Sequence, residues 1–210
     1  MQIQRSLLYA ILAGIFLITI RFIPYPASFA VKALPILLLL YWVLRSSAFR
    51  GRILLGLAVL FSAVGDVVLD LAFQGSFIAG LVSFLIAHIF YVILFARDFR
   101  FQAHWLVITL AGVCGAAGMA AFLWPHLGTL KGPVAVYVSA IAAMFITAVN
   151  RSNVNIVLVA GAAFFLISDS ILALNRFYSP VPAGRYAIMA TYYLAQYLIV
   201  TGYLDEQEPS

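Results

Sequence analysis

The 210-residue sequence predicts an all-α fold: a polytopic membrane bundle of about eight transmembrane helices in one domain. Three observations predict it. Hydrophobic residues make up 65% of the chain and charged residues 9%, with a mean hydropathy of +1.09, too little polar surface for a soluble domain of this length. The apolar residues gather in eight runs, most of them near the ~20 residues that a ~30 Å hydrocarbon core demands of a helix. The connections between the runs are brief, so neighbouring helices form one compact bundle.

In chain order the runs are Leu7 to Ile20, Ala30 to Leu44, Ile53 to Ala72, Phe77 to Ala96, Trp105 to Trp124, Pro133 to Val149, Val154 to Leu174 and Tyr186 to Leu204. The first two are short for a span and are expected to tilt or borrow flanking residues. Ser28-Phe29-Ala30 imitates a small-x-small cleavage site, but Arg21, Pro24 and Pro26 read as a loop after a retained helix. Pro35 and Pro133 fall near run starts, where proline is tolerated and no broken helix is needed. In the fifth run Gly112, Gly115 and Gly118 suggest a close-packing face. The lone Cys114 excludes a disulfide or cysteine metal framework within one chain and reads as core packing.

The formal net charge of +5 does not form a nucleic-acid patch, because the twelve Lys and Arg are scattered between apolar runs. They sort by side. Arg5, Arg45, Arg50, Arg52, Arg97, Arg100 and Arg151 fall on one side, against Arg21, Lys131, Arg176 and Arg185 on the other, with Lys32 left out because it lies inside a helix. The positive-inside rule then puts both termini in the cytoplasm, with a bacterial inner membrane as the expected location. The acidic tail Asp205, Glu206 and Glu208 weighs little in that rule.

A shift of 103 residues aligns Phe61, Gly65, Asp66 and Leu69 with Phe164, Ser168, Asp169 and Leu172, and carries His88 to Thr191, beside Tyr192. That pattern suggests repeat halves 1–103 and 104–210 of four helices each, related by a pseudo-twofold along the membrane normal.

The polar residues inside the apolar runs are the candidates for function. Asp66 and Asp70, four residues apart, project from one helix face, with Ser62 a turn back on the same stripe. An ionised aspartate at a helix centre in lipid costs roughly 2.5–3.5 kcal/mol on insertion scales, so these side chains face a protein interior or a wet cavity. Asp169 enters late in the seventh run, before Asn175 and Arg176; Lys32 begins the second; Tyr192, Tyr193 and Gln196 lie two turns into the eighth; His88 sits mid-way along the fourth. Groups from separate helices therefore converge at one level, as a site requires.

Each has a bland alternative. Asp70 can reach the interface from a helix end, Lys32 can snorkel to head groups, and His88 can be a hydrogen-bonded core histidine. Tyr91, Tyr137, Tyr192 and Tyr193 can be interface aromatics, although Tyr192, Tyr193 and Gln196 lie deeper than an aromatic belt. His104 and His126 stand at run ends and are left out of the site.

The residues Phe61-Ser62 through Gly65-Asp66, then Gly80-x3-Phe84-x3-His88-x2-Tyr91, then Gly161-Ala162-x2-Phe165-x2-Ser168-Asp169-x2-Leu172-Ala173-x-Asn175-Arg176-Phe177, and Tyr192-Tyr193-x-Ala195-Gln196-x-Leu198-Ile199 resemble the YhhN-type lysoplasmalogenase family of multispanning membrane proteins. The family's Lys-Pro at the start of the second helix is here Lys32 followed by Ala33, Leu34 and only then Pro35. The resemblance implies hydrolysis of the vinyl ether of a lysoplasmalogen to a fatty aldehyde and glycerophospho-ethanolamine or -choline. Its partners are then the lysophospholipid and membrane lipids, and no metal or cofactor is called for. Such chemistry needs a protonated carboxyl and a carboxylate, and two neighbouring carboxyls in an apolar surround do not both ionise. Asp66 and Asp169 are expected as the acid/base pair, with Asp70 and His88 supporting them. Lys32, Asn175, Arg176, Tyr91, Tyr137, Tyr192, Tyr193 and Gln196 are expected to bind the substrate. The competing class is a proton-coupled transporter or flippase of a small lipid, in which the same carboxylates relay protons; a non-catalytic scaffold ranks last, since it needs no converging acids.

Overall fold

The computed structural model describes residues 2–71 and 73–207. Ala72 and Glu208, which the sequence reading used as a run end and as part of the acidic tail, lie outside them. Eight α-helices are described: α1 (Gln2–Thr19), α2 (Ser28–Arg45), α3 (Arg52–Asp70), α4 (Ser76–Ala96), α5 (Leu106–Leu123), α6 (Lys131–Val149), α7 (Ile156–Phe177) and α8 (Gly184–Asp205). Among the described residues α1 to α7 are long and apolar enough to cross a membrane. The 22-residue α8 is long enough too, but Tyr192, Tyr193 and Gln196 make it more polar.

The helix limits follow local chemistry. Gly51 precedes α3 at φ 109, a conformation that disfavours any side chain, and a Cβ there would sit 2.6 Å from Leu94. Asn155 caps α7 by accepting from the backbone N–H groups of Val157 and Leu158, and its amide donates to Gly202 O, tying the start of α7 to the end of α8. The first two helices borrow flanking residues, as expected of their short apolar runs, and each reaches 18 residues. One expectation changes. Since α2 begins at Ser28, Pro35 lies in its interior rather than near its start, and α2 continues through it.

Packing follows chain order, with α3 on α4 and α7 on α8, and further contacts skip along the chain: α1 and α2 reach α8, α4 reaches α6 and α5 reaches α7. Helices α7 and α8 bring their backbones close, so that a Cβ on Gly161 would meet Ile199 N at 2.7 Å and one on Gly202 would meet Leu158 N at 2.9 Å. The main core spans these helices, with Ile36, Leu55, Tyr91, Phe165 and Ile199 fully buried. Helix α5 stands at the rim against α6 and α7 and buries only Ala116 and Leu123.

That rim position corrects two expectations. Cys114 points outward instead of packing in the core. Of the three α5 glycines only Gly112 makes a close contact, where a Cβ would lie 2.1 Å from Phe145, whereas Gly115 and Gly118 face open space. A three-residue spacing drifts around a helix of 3.6 residues per turn, so such a row cannot stay on one narrow face.

At one end of the bundle Arg151, 3% exposed, gathers the loops. Its guanidinium donates to both carboxylate oxygens of Glu206 at 2.8 and 2.7 Å and lies 3.7 Å from Asp98. Arg100 N donates to Asn150 O, and Ser152 N to Asp98 O, so the α4–α5 and α6–α7 loops are joined there. The helix ends that carry Asp70, Asn175 and Arg176 lie at the opposite end.

Candidate active site

Asp66 lies four residues before the end of α3 and is 1% exposed. Two neighbouring helices supply its polar partners. The Lys32 ammonium on α2 stands 3.6 Å from its Oδ1 and donates to its backbone carbonyl at 3.2 Å. From α8 the Tyr192 hydroxyl donates to Oδ2 at 2.7 Å. Lys32 is itself held, since Tyr193 donates to its carbonyl and Tyr9 to the carbonyl of Tyr193, each at 2.7 Å. Lys32 is 8% exposed, so its ammonium ends at a carboxylate inside the bundle and does not snorkel.

Asp169 on α7 has a simpler setting. The Tyr137 hydroxyl on α6 donates to its Oδ2 at 2.5 Å, and the carboxyl lines an apolar cavity of about 60 Å³ with Tyr137, Phe77, Leu81, Leu166 and Leu172. Each of the two aspartates is thus met by a polar side chain from a neighbouring helix: Lys32 of α2 for Asp66 on α3, Tyr137 of α6 for Asp169 on α7.

Among the described residues no hydrogen bond or ion pair joins the two carboxyls. Ring contacts connect them: Tyr192 to Phe165 at 5.6 Å between centroids, Phe165 to His88 at 4.7 Å, and His88 to Tyr137 at 5.2 Å. His88 is fully buried, and neither ring nitrogen has a hydrogen-bond partner among the described residues. A buried polar group left unpaired costs roughly 1–3 kcal/mol, so packing alone does not account for an imidazole here.

Asp70, the last residue of α3, accepts from Ser28 Oγ at 2.5 Å. It lines a second cavity, of about 350 Å³, together with Lys32, Asn175, Arg176 and Arg185. Charged and apolar residues share the lining of this cavity, whereas the first is almost wholly apolar, and Phe77 and Leu172 line both. Arg176 lies over the Phe77 ring at 4.8 Å, so a charged residue of the larger cavity rests on the wall it shares with the apolar one.

Tyr91 and Gln196 are brought together away from both cavities. Tyr91 donates to Gln196 Oε1 at 2.8 Å, and the Gln196 amide donates to Ser62 Oγ at 2.9 Å, a sealed network tying α4, α8 and α3. Asn175 accepts from Val181 N at 3.0 Å, which folds the α7–α8 loop back on itself. Three residues of this region escaped the sequence reading: Ser28, Phe77 and Arg185. Arg185 entered only as a topology charge, and its place beside Asp70 and Arg176, on the same side, was the available signal. Nothing in sequence marks Phe77 among seventeen phenylalanines.

The sequence matches the YhhN family over residues 27–203. It is 36% identical over 168 residues to the lysoplasmalogenase TMEM86A of Homo sapiens, covering 75% of this chain and 67% of that protein. With the lysoplasmalogenase of Mycobacterium bovis it shares 32% identity over 157 residues, 72% of this chain and 60% of that one. With TMEM86B of Homo sapiens the identity is 33% over 181 residues, 85% and 76% of the two chains. No solved structure matches.

Proposed function

The chain belongs to the YhhN family, and from that premise we propose that it is a membrane hydrolase that cleaves the vinyl ether of lysoplasmalogens by aspartate acid/base catalysis. The products are a fatty aldehyde and glycerophospho-ethanolamine or -choline. The relatives named lysoplasmalogenase support the reaction class. The observation that carries the mechanism is the shared wall at Phe77 and Leu172, with an apolar cavity holding the Asp169 carboxyl on one side and, on the other, a larger cavity where Lys32, Asp70, Arg176 and Arg185 stand among apolar residues. A lysolipid has that division, an apolar chain and a charged head group with the ether between them.

The chemistry runs through an oxocarbenium ion. A carboxylic acid protonates the β-carbon of the enol ether, leaving the positive charge shared between the α-carbon and the ether oxygen. Water, deprotonated by a carboxylate, adds to the α-carbon and gives a hemiacetal. In the collapse the second carboxyl gives its proton to the glycerol oxygen while the first carboxylate takes the hemiacetal hydroxyl proton; the bond from the α-carbon to the glycerol oxygen breaks, the aldehyde leaves, one water is consumed and both carboxyls regain their starting protonation. Asp66 and Asp169 divide these roles. Tyr137 and Tyr192 orient the two carboxyls, and Lys32 balances the charge of Asp66. His88 bridges the two settings through its ring contacts.

The same reading takes the chain as two four-helix repeats. The matched contacts of α3 with α4 and α7 with α8, and of α4 with α6 and α2 with α8, support it. It also takes both termini as cytoplasmic in a bacterial inner membrane, which the gathering of Arg97, Arg100 and Arg151 loops beside the end of α8 supports. The test is aldehyde release by purified protein in detergent from an alkenyl lysolipid. A transporter needs two compartments, whereas hydrolysis needs one.

A further inference from the structure

The charged side chains of the 350 Å³ cavity are not equally committed. Lys32 already faces Asp66 at 3.6 Å. The Arg176 guanidinium carbon lies 4.8 Å from the centroid of the Phe77 ring, a contact that uses none of its N–H donors in a hydrogen bond. Among the described residues neither Arg176 nor Arg185 forms an ion pair. Asp70 uses Oδ2 to accept from Ser28, and its Oδ1 holds no hydrogen bond. The cavity therefore offers two free guanidinium groups and one free carboxylate oxygen, a pattern of two charges rather than one.

Resting on the lysolipid reading above, we propose that this cavity reads both charges of a zwitterionic phosphodiester head group. Arg176 and Arg185 take the phosphate, and Asp70 takes a primary ammonium. The two arginines come from the end of α7 and the start of α8, and the loop between them is pinned where Val181 N donates to Asn175 Oδ1. The backbone positions that carry them are thus held relative to one another, and paired guanidinium forks suit a phosphate better than a lone ammonium does. Asp70 stands on the separate element α3, anchored by Ser28 of α2. A carboxylate on the wall of a phosphate site repels the phosphate unless the ligand brings its own cation. An ethanolamine ammonium donates N–H to Oδ1, whereas a trimethylammonium has no N–H and favours an aromatic face; of the two phenylalanines lining this cavity, Phe77 is already covered by Arg176, and Phe16 is 1% exposed and packed edge-to-face with Tyr193. The site is therefore selective for ethanolamine over choline, and for either over a bare phosphate.

The test compares alkenyl lysolipids ending in phosphoethanolamine, phosphocholine and phosphate, with aldehyde release measured for wild type, Asp70→Asn, Asp70→Glu and Arg185→Gln. The wild type is expected to favour ethanolamine. In Asp70→Asn the kcat/KM ratio of ethanolamine to phosphate substrate falls about tenfold, the scale of one charge-assisted hydrogen bond in a partly solvated site. Asp70→Glu keeps most of that ratio, and Arg185→Gln raises KM for all three substrates while the ratios stay as in wild type. Soluble competitors test the same point without a variant: glycerophosphoethanolamine inhibits wild type more tightly than glycerophosphocholine or glycerol phosphate, which also separates recognition of the free head group from that of the intact lipid. Equal inhibition by the three, or substrate ratios unmoved in Asp70→Asn, overturns the head-group assignment alone. No aldehyde from any alkenyl lysolipid overturns the hydrolase reading with it.

Discussion

The Lys32 ammonium and the Asp66 carboxylate face each other inside the bundle at 3.6 Å, with side chains 10% and 2% exposed. Removing one partner of a buried ion pair costs about 3–5 kcal/mol because the other charge is left stranded. Lys32→Met should therefore lower both turnover and melting temperature in detergent, with the Michaelis constant moving least. Asp66→Asn added to Lys32→Met should restore the melting temperature but not the activity. A raised Michaelis constant with unchanged turnover would instead make Lys32 a phosphate ligand.

Tyr137 and Tyr192 each give one hydroxyl hydrogen bond to a carboxyl, at 2.5 and 2.7 Å. Phenylalanine keeps both rings and their edge contacts but removes the donor. Turnover should fall roughly tenfold in Tyr137→Phe and Tyr192→Phe, the scale of a lost hydrogen bond to a charged group. Single-turnover aldehyde release at saturating substrate checks this, and wild-type rates in both variants would remove the tyrosines from the site.

His88 invites a test in which stability and activity part company. Phenylalanine in its place fills a similar volume and eliminates two unpaired buried nitrogens, so His88→Phe should melt at or above the wild-type temperature. Its turnover should nevertheless drop if the imidazole serves the two carboxyls. Full activity in a stable His88→Phe would make the histidine a packing residue.

The α7–α8 contact sets a stability prediction away from the chemistry. Gly161→Ala forces a Cβ to 2.7 Å from Ile199 N and 2.9 Å from Ala195 O, backbone atoms that cannot swing aside. Overpacking of this kind costs about 1–3 kcal/mol, and Gly161→Ala should lower the melting temperature by several degrees. Gly115→Ala, with nothing within 4 Å of the new methyl, is the matched control and should leave it unchanged.

What could be read from sequence followed the physics that sequence carries. Lipid demands long apolar runs, so all eight helices were legible to within a few residues. The cost of charge in lipid singled out Asp66, Asp169 and Lys32 without a fold. Side-chain partners were not legible. Tyr192 and Tyr193 are adjacent in sequence, yet one reaches Asp66 and the other the carbonyl of Lys32, a division set by helix rotation. Tyr91 and Gln196 looked like substrate ligands because they are polar and deep, but polar groups also satisfy each other, and these two do. The outward turn of Cys114 was hidden because an apolar helix at the rim of a membrane bundle has the same composition as one at its centre.

The most direct measurement is aldehyde release by the purified protein from matched alkenyl and saturated alkyl lysolipids, with wild type beside Asp66→Asn and Asp169→Asn. The account predicts release from the alkenyl lipid only, since a saturated ether cannot form the cation by protonation at carbon. It also predicts a loss of at least ~10²-fold in each folded variant, the scale of positioned acid–base catalysis. Near-normal turnover in either variant, or equal cleavage of the saturated ether, would contradict it.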